Sequence, residues 1–98
     1  MDRRLDGKVA IVTGSTKGIG RVIAATFAAE GAKVVVAGRS VPRGEGVAAA
    51  IREHGGDAIF VPTDVSDEGQ VEGLIAETVD TYGALTTLVN NAASTRCR

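Results

Sequence analysis

The run Thr13-Gly14-Ser15-Thr16-Lys17-Gly18-Ile19-Gly20 gathers three glycines, three hydroxyl side chains and a lysine into eight residues. Small residues let the main chain turn sharply and let a ligand come close to backbone N–H groups. Apolar Val9-Ala10-Ile11-Val12 precede the run, and Ile19, Val22, Ile23 and Phe27 follow it at helical spacing. The context is therefore a buried strand, a tight turn and an amphipathic helix. The first turn of a helix has unpaired N–H donors and the positive end of the helix dipole, so this turn is suited to holding a phosphate or pyrophosphate. The glycine spacing is Gly-x-x-x-Gly-x-Gly rather than Gly-x-Gly-x-x-Gly, so the preceding Thr-Gly and the flanking elements carry the reading as much as the glycines do.

Other reactive side chains are few. His54 precedes Gly55-Gly56 and has no partner at metal-ligand spacing. Cys97 is the one cysteine, which excludes an internal disulfide and a cysteine-built metal cluster. It lies between Arg96 and Arg98 and reads as a thiol in a tail. Ser15 and Thr16 have no histidine base in their motif and belong to the turn rather than to a nucleophilic dyad.

Around these residues the chain repeats a pattern. Apolar, β-branched runs at 9–12, 33–37, 58–61 and 85–89 alternate with helical stretches at about 19–30, about 45–54 and from Ser66 to Tyr82-Gly83. Gly31 suits a helix C-terminus. Ser66 is the expected N-cap of the third helix, with Asp67 and Glu68 in its first turn. Strands alternating with helices predict an α/β fold, a Rossmann-type parallel sheet of about four strands with three helices. The expected organisation is one domain over residues 1–98, with 94–98 as a loose tail. The net charge of −1 and scattered bases argue against nucleic acid or an anionic membrane as partner. The N-terminus lacks the apolar core of a secretory signal, and no run approaches the roughly 20 apolar residues of a membrane span. A soluble, cytoplasmic setting is expected.

Three landmarks in order, Thr13-Gly14-x-x-x-Gly18-Ile19-Gly20, Asp64-Val65 and Asn90-Asn91-Ala92-Ala93, resemble the N-terminal half of the short-chain dehydrogenase/reductase family. The resemblance runs from about Leu5 to Ala93 and implies an oxidoreductase that moves hydride between a nicotinamide dinucleotide and a ketone or alcohol. It implies that Gly14, Ser15, Thr16, Lys17, Gly18, Ile19 and Gly20 hold the pyrophosphate and adjoining ribose. Asp64 would accept from the adenine amino group, with Val65 along the ring. Asn90, Asn91 and Ala92 would tie strand ends and meet the ribose. Ala93 stands where the family most often has glycine.

Where dinucleotide sites place an acid for the ribose hydroxyls of NAD, this chain reads Gly38-Arg39. Arg39 and Lys17 could meet a 2′-phosphate instead, so NADP(H) is the expected cofactor and NAD(H) the alternative. The family's catalytic serine and Tyr-x-x-x-Lys have no counterpart. Tyr82 is the one tyrosine, the residue four places on is Thr86, and the lysines Lys8, Lys17 and Lys33 all precede it. The resemblance thus implies a cofactor-binding half with no catalytic residue of its own and without the helices through which the family usually forms homo-oligomers. A non-catalytic NADP(H)-binding module and an inactive truncated product are the alternatives. The fourth strand is expected at a sheet edge.

Overall fold

The computed structural model describes residues 5–14 and 18–90, with the backbone alone described at Gly18, Ile19 and Asn90. The elements run β1 (Val9–Thr13), α1 (Gly18–Ala29), β2 (Lys33–Gly38), α2 (Val41–Glu53), β3 (Asp57–Pro62), α3 (Glu68–Tyr82) and β4 (Thr87–Asn90). The four strands form one parallel sheet in the order β3-β2-β1-β4. The chain first builds outward from β1 to β3 and then reverses to place β4 on the other side of β1. This is the Rossmann-type arrangement that the alternating pattern predicts.

β1 is buried at all five positions, and β2 at its four middle ones. That is why both read as unbroken apolar runs: alternate residues face opposite layers, and each layer is covered. Val34 and Val36 join Val12 beneath α1 and α2, packed with Ala24, Ala28, Val47, Ala48 and Ile51. Val35 and Ala37 join Ile11 on the opposite face, under Leu74 of α3. Fully burying such a valine contributes about 1.5–3 kcal/mol relative to leaving it exposed.

The helix ends explain their own lengths. After α1, the Gly31 N–H donates to the Ala28 carbonyl at 3.0 Å and the Ala32 N–H to that of Phe27 at 3.1 Å. After α2, the Gly55 N–H donates to Arg52 at 3.0 Å and the Gly56 N–H to Ile51 at 2.9 Å. Both pairs are Schellman closures around a left-handed glycine, Gly31 at φ 100° and Gly55 at φ 90°.

Three boundaries differ from the sequence expectation. α2 begins at Val41, before the expected 45, because Pro42 fits the first helical turn, where its missing N–H costs nothing. The N-cap of α3 is Asp67, whose side chain accepts from the Gly69 and Gln70 N–H groups, whereas the Ser66 hydroxyl donates to Asp64. β4 starts at Thr87, two residues late, because the Thr86 hydroxyl accepts the Val9 N–H at 2.9 Å and caps the pairing.

Candidate functional site

All strands point the same way, so their exits share one edge of the sheet. Register aligns Thr13 with Ala37 on one side and with Asn90 on the other, and Gly38 with Pro62. Each exit is tied to its neighbour. The Gly14 N–H donates to the Ala37 carbonyl at 3.1 Å, the Thr63 N–H to Gly38 at 2.8 Å, and the Thr13 hydroxyl to Val89 at 3.3 Å. Between β1 and β4 the strand order reverses, and the crevice outside such a reversal is where open α/β sheets bind ligands.

Gly14 has φ 67°, a left-handed conformation that lets the chain leave β1 and turn towards α1. α1 starts at Gly18, so the second glycine of the motif opens the helix, and Gly20 lies buried in its first turn. No acidic residue occupies that turn. The arrangement offers helix N–H groups and a positive dipole end at the β1 exit marked by Gly14, which suits an anion such as a pyrophosphate. Ser15, Thr16 and Lys17 lie outside the described residues, as do Asn91, Ala92, Ala93 and the 94–98 tail with Cys97. Asn90 closes β4, its backbone in register with Thr13.

Arg39 is exposed immediately after β2. Asp64 follows β3 in a compact turn. Its Oδ1 accepts the Ser66 hydroxyl at 2.7 Å and the Ser66 N–H at 3.0 Å, and its own N–H donates to Gln70 Oε1 at 2.8 Å. The Ser66 hydroxyl and then its N–H hold the Asp64 carboxyl below its ordinary range; slight desolvation opposes them, and the nearby Arg39 charge adds to the lowering. Asp64 is thus an ionised acceptor facing the Arg39 side of the edge. Val65 lines a hollow of about 180 Å³ with Ile11, Thr13, Val71, Leu74, Ile75 and Leu88. It supplies an aliphatic wall beside the carboxylate, which suits the apolar face of a base.

The structure thus brings Gly14, Gly18, Arg39, Asp64 and Val65 to one edge. It takes Tyr82 to the other. At the end of α3, the Tyr82 hydroxyl donates to Asp57 Oδ1, at the start of β3, at 2.9 Å. Burial, and then the Asp57 carboxylate that accepts the bond, push the phenol well above its ordinary pKa. His54 caps α2, with its Nδ1 2.8 Å from the Ala50 carbonyl. Sequence reasoning placed Thr13 in the motif without assigning it a bond and missed Thr63; both are nearly fully buried and each is bonded through its hydroxyl to a strand carbonyl. A threonine at the last position of an apolar run is the signal that marks the first of them. Among the described residues no acidic, histidine or cysteine cluster is arranged to hold a metal. No helix there is long and apolar enough to cross a membrane.

Comparison with known proteins places this geometry. The short chain dehydrogenase family model matches residues 8–98. The chain is 52% identical over 93 residues to an NADP-dependent (R)-specific alcohol dehydrogenase of Lentilactobacillus kefiri, covering 94% of this chain and 36% of that protein. It is 47% identical over 92 residues to the 2,5-dichloro-2,5-cyclohexadiene-1,4-diol dehydrogenase LinX of Sphingobium indicum, covering 94% of this chain and 37% of the relative. Among solved structures, a hydroxysteroid dehydrogenase from Escherichia coli superimposes with a TM-score of 0.87 at 39% identity, over 90% of this chain and 37% of that one. The chain therefore spans little more than a third of the length of these relatives. Members of the family bind a nicotinamide dinucleotide. By its matching motif order, its sheet topology and these likenesses, the chain belongs to the short-chain dehydrogenase family.

Proposed function

We propose that this chain is the cofactor-binding part of an NADP(H)-dependent oxidoreductase that moves hydride between the dinucleotide and a ketone or alcohol. The observation that carries the cofactor preference is the exit of β2. There Gly38 occupies the position where an acid would hold the ribose hydroxyls, and exposed Arg39 follows it. Backbone groups of Gly14, Ser15, Thr16, Lys17, Gly18, Ile19 and Gly20 hold the pyrophosphate. Arg39 and Lys17 meet the 2′-phosphate, Asp64 accepts from the adenine amine, Val65 lies against the base, and Asn91 and Ala92 reach the ribose with Asn90. The NADP dependence named for the Lentilactobacillus kefiri relative supports this reading. The bound dinucleotide supplies the hydride; these residues bind and orient it.

No residue of the chain is assigned acid–base work, since Tyr82 is bonded to Asp57 at the opposite edge of the sheet. The isolated chain is accordingly a cytoplasmic dinucleotide-binding module without turnover, and nucleic acid and membrane are not its partners. Calorimetric titration with NADPH and NADH tests the reading. One charge-assisted contact contributes roughly 1.5–3 kcal/mol, so the wild type favours NADPH by about tenfold or more, and Arg39→Ala removes most of that preference. Equal affinity for the two cofactors in the wild type would sink it.

A further inference from the structure

The described sheet has two outer strands, β3 and β4. On β3 the direction of each main-chain group follows from one bond. The Thr63 N–H donates to Gly38, on the β2 side, at 2.8 Å. The N–H and C=O of one strand residue point to the same side, and the side alternates from residue to residue. Asp57, Ile59 and Val61 therefore face β2 as Thr63 does, and Ala58, Phe60 and Pro62 direct their main-chain groups away from the sheet. Such an outward row is a template on which another extended chain can pair.

The row is closed at both ends. At its start, Arg52 in the last turn of α2 donates through Nη1 to the Ala58 carbonyl at 2.7 Å. Ala58 is only 1% exposed, although it belongs to an outer strand. At its end, Pro62 has no N–H to offer, and it stands at an outward position where no bond to β2 is lost. Between them lies Phe60, half-buried with its ring packed on Gly44 of α2. From the opposite face of the sheet the Tyr82 hydroxyl holds Asp57 at 2.9 Å. The entry of β3 is thus gripped by a helix on each side, which keeps the Ala58 carbonyl under the guanidinium.

Fixing a long arginine side chain costs rotamer entropy, and a solvated guanidinium has no need of a partner. The position of this bond gives it a consequence beyond joining helix to strand. A chain approaching the β3 edge would have to break a charge-assisted hydrogen bond and strip water from a cation. We infer that Arg52 is the guard of the β3 edge: it occupies the Ala58 carbonyl and, with Pro62, denies that strand to the β3 strand of a second copy of the chain. The pairing that it blocks is an antiparallel one between two β3 edges across a two-fold axis.

Sedimentation of the 98-residue chain tests this. Arg52→Met keeps an unbranched apolar stem and loses the donors. It is expected to lower the concentration at which the chain self-associates by roughly fivefold, the equivalent of one hydrogen bond gained between copies. Arg52→Lys, which retains a cation and a donor, stays near the wild type. Amide exchange locates the contact, because the Phe60 N–H exchanges more slowly in associated Arg52→Met than in the wild type. Pro62→Val, which supplies an outward N–H and leaves Arg52 in place, gives a smaller shift of the same kind. Circular dichroism checks the fold of each variant, and if Arg52→Met is unfolded then Pro62→Val decides. An unchanged threshold in the folded variant would overturn the inference, as would association that leaves Phe60 exchange unaltered.

Discussion

Asp64 takes both hydrogen bonds from Ser66 on one carboxylate oxygen, which keeps it ionised under mildly acidic conditions. Because its folded pKa lies below the ordinary 3.8, its contribution to stability is present above that value and fades as pH falls through the lowered one. Ser66→Ala should bring the Asp64 titration back towards 3.8 and make the acid limb of the stability curve shallower. A carboxyl NMR titration that shows no movement would remove Ser66 as the cause. Tyr82 has the opposite sign. Its raised pKa means that the bond to Asp57 stabilises below the unfolded value of about 10 and is lost as pH rises through the folded one. Tyr82→Phe should cost about 0.5–1.5 kcal/mol in urea unfolding at neutral pH, towards the low end because the pair is partly exposed, and leave cofactor affinity unchanged. A fall in NADPH affinity would contradict its place at the far edge. Single residues were legible where their chemistry is local: Gly14 was readable from its motif and Gly31 from its place after a helix. Ser66 was misread because Ser66 and Asp67 both suit an N-cap, and only the turn at Asp64 shows which of them is already engaged.

At the scale of elements, the two best-buried strands were plain in the sequence because a strand covered on both faces is apolar at every position. The start of α2 was not. Val41-Pro42-Arg43-Gly44 reads as a loop until Gly44 is seen beneath the ring of Phe60, where a side chain would collide with β3. That glycine belongs to the packing of helix on sheet, an interaction without a local signature. Gly73 is its counterpart in α3, with nothing within 4 Å of an added Cβ. Gly73→Ala should therefore stabilise the chain by about 0.8–1 kcal/mol through helix propensity alone. Gly44→Val should destabilise it by about 1–3 kcal/mol through overpacking. Thermal unfolding of the two variants measures both, and a stabilising Gly44→Val would refute the contact with Phe60.

Over the whole molecule, the two faces of the sheet are unequally covered. α1 and α2 lie over one face and α3 alone over the other, which leaves Leu88 on β4 56% exposed and Ile75 38% exposed. β4 is also an edge of the described sheet, with one side unpaired. Such an edge invites association, so Leu88→Lys should raise the concentration at which the chain self-associates in sedimentation without changing its circular dichroism. An unchanged threshold would show that the edge is not the contact. The same topology also fixes an order of assembly. β1 meets β2 soon after it is made, but its bonds to the far side join residues 76 and 77 places apart. Closing so long a loop is entropically costly and slow, so β3-β2-β1 forms first and β4 is added last. The crevice between β1 and β4 is therefore the youngest joint of the described sheet, completed only after the chain has been synthesised through β4.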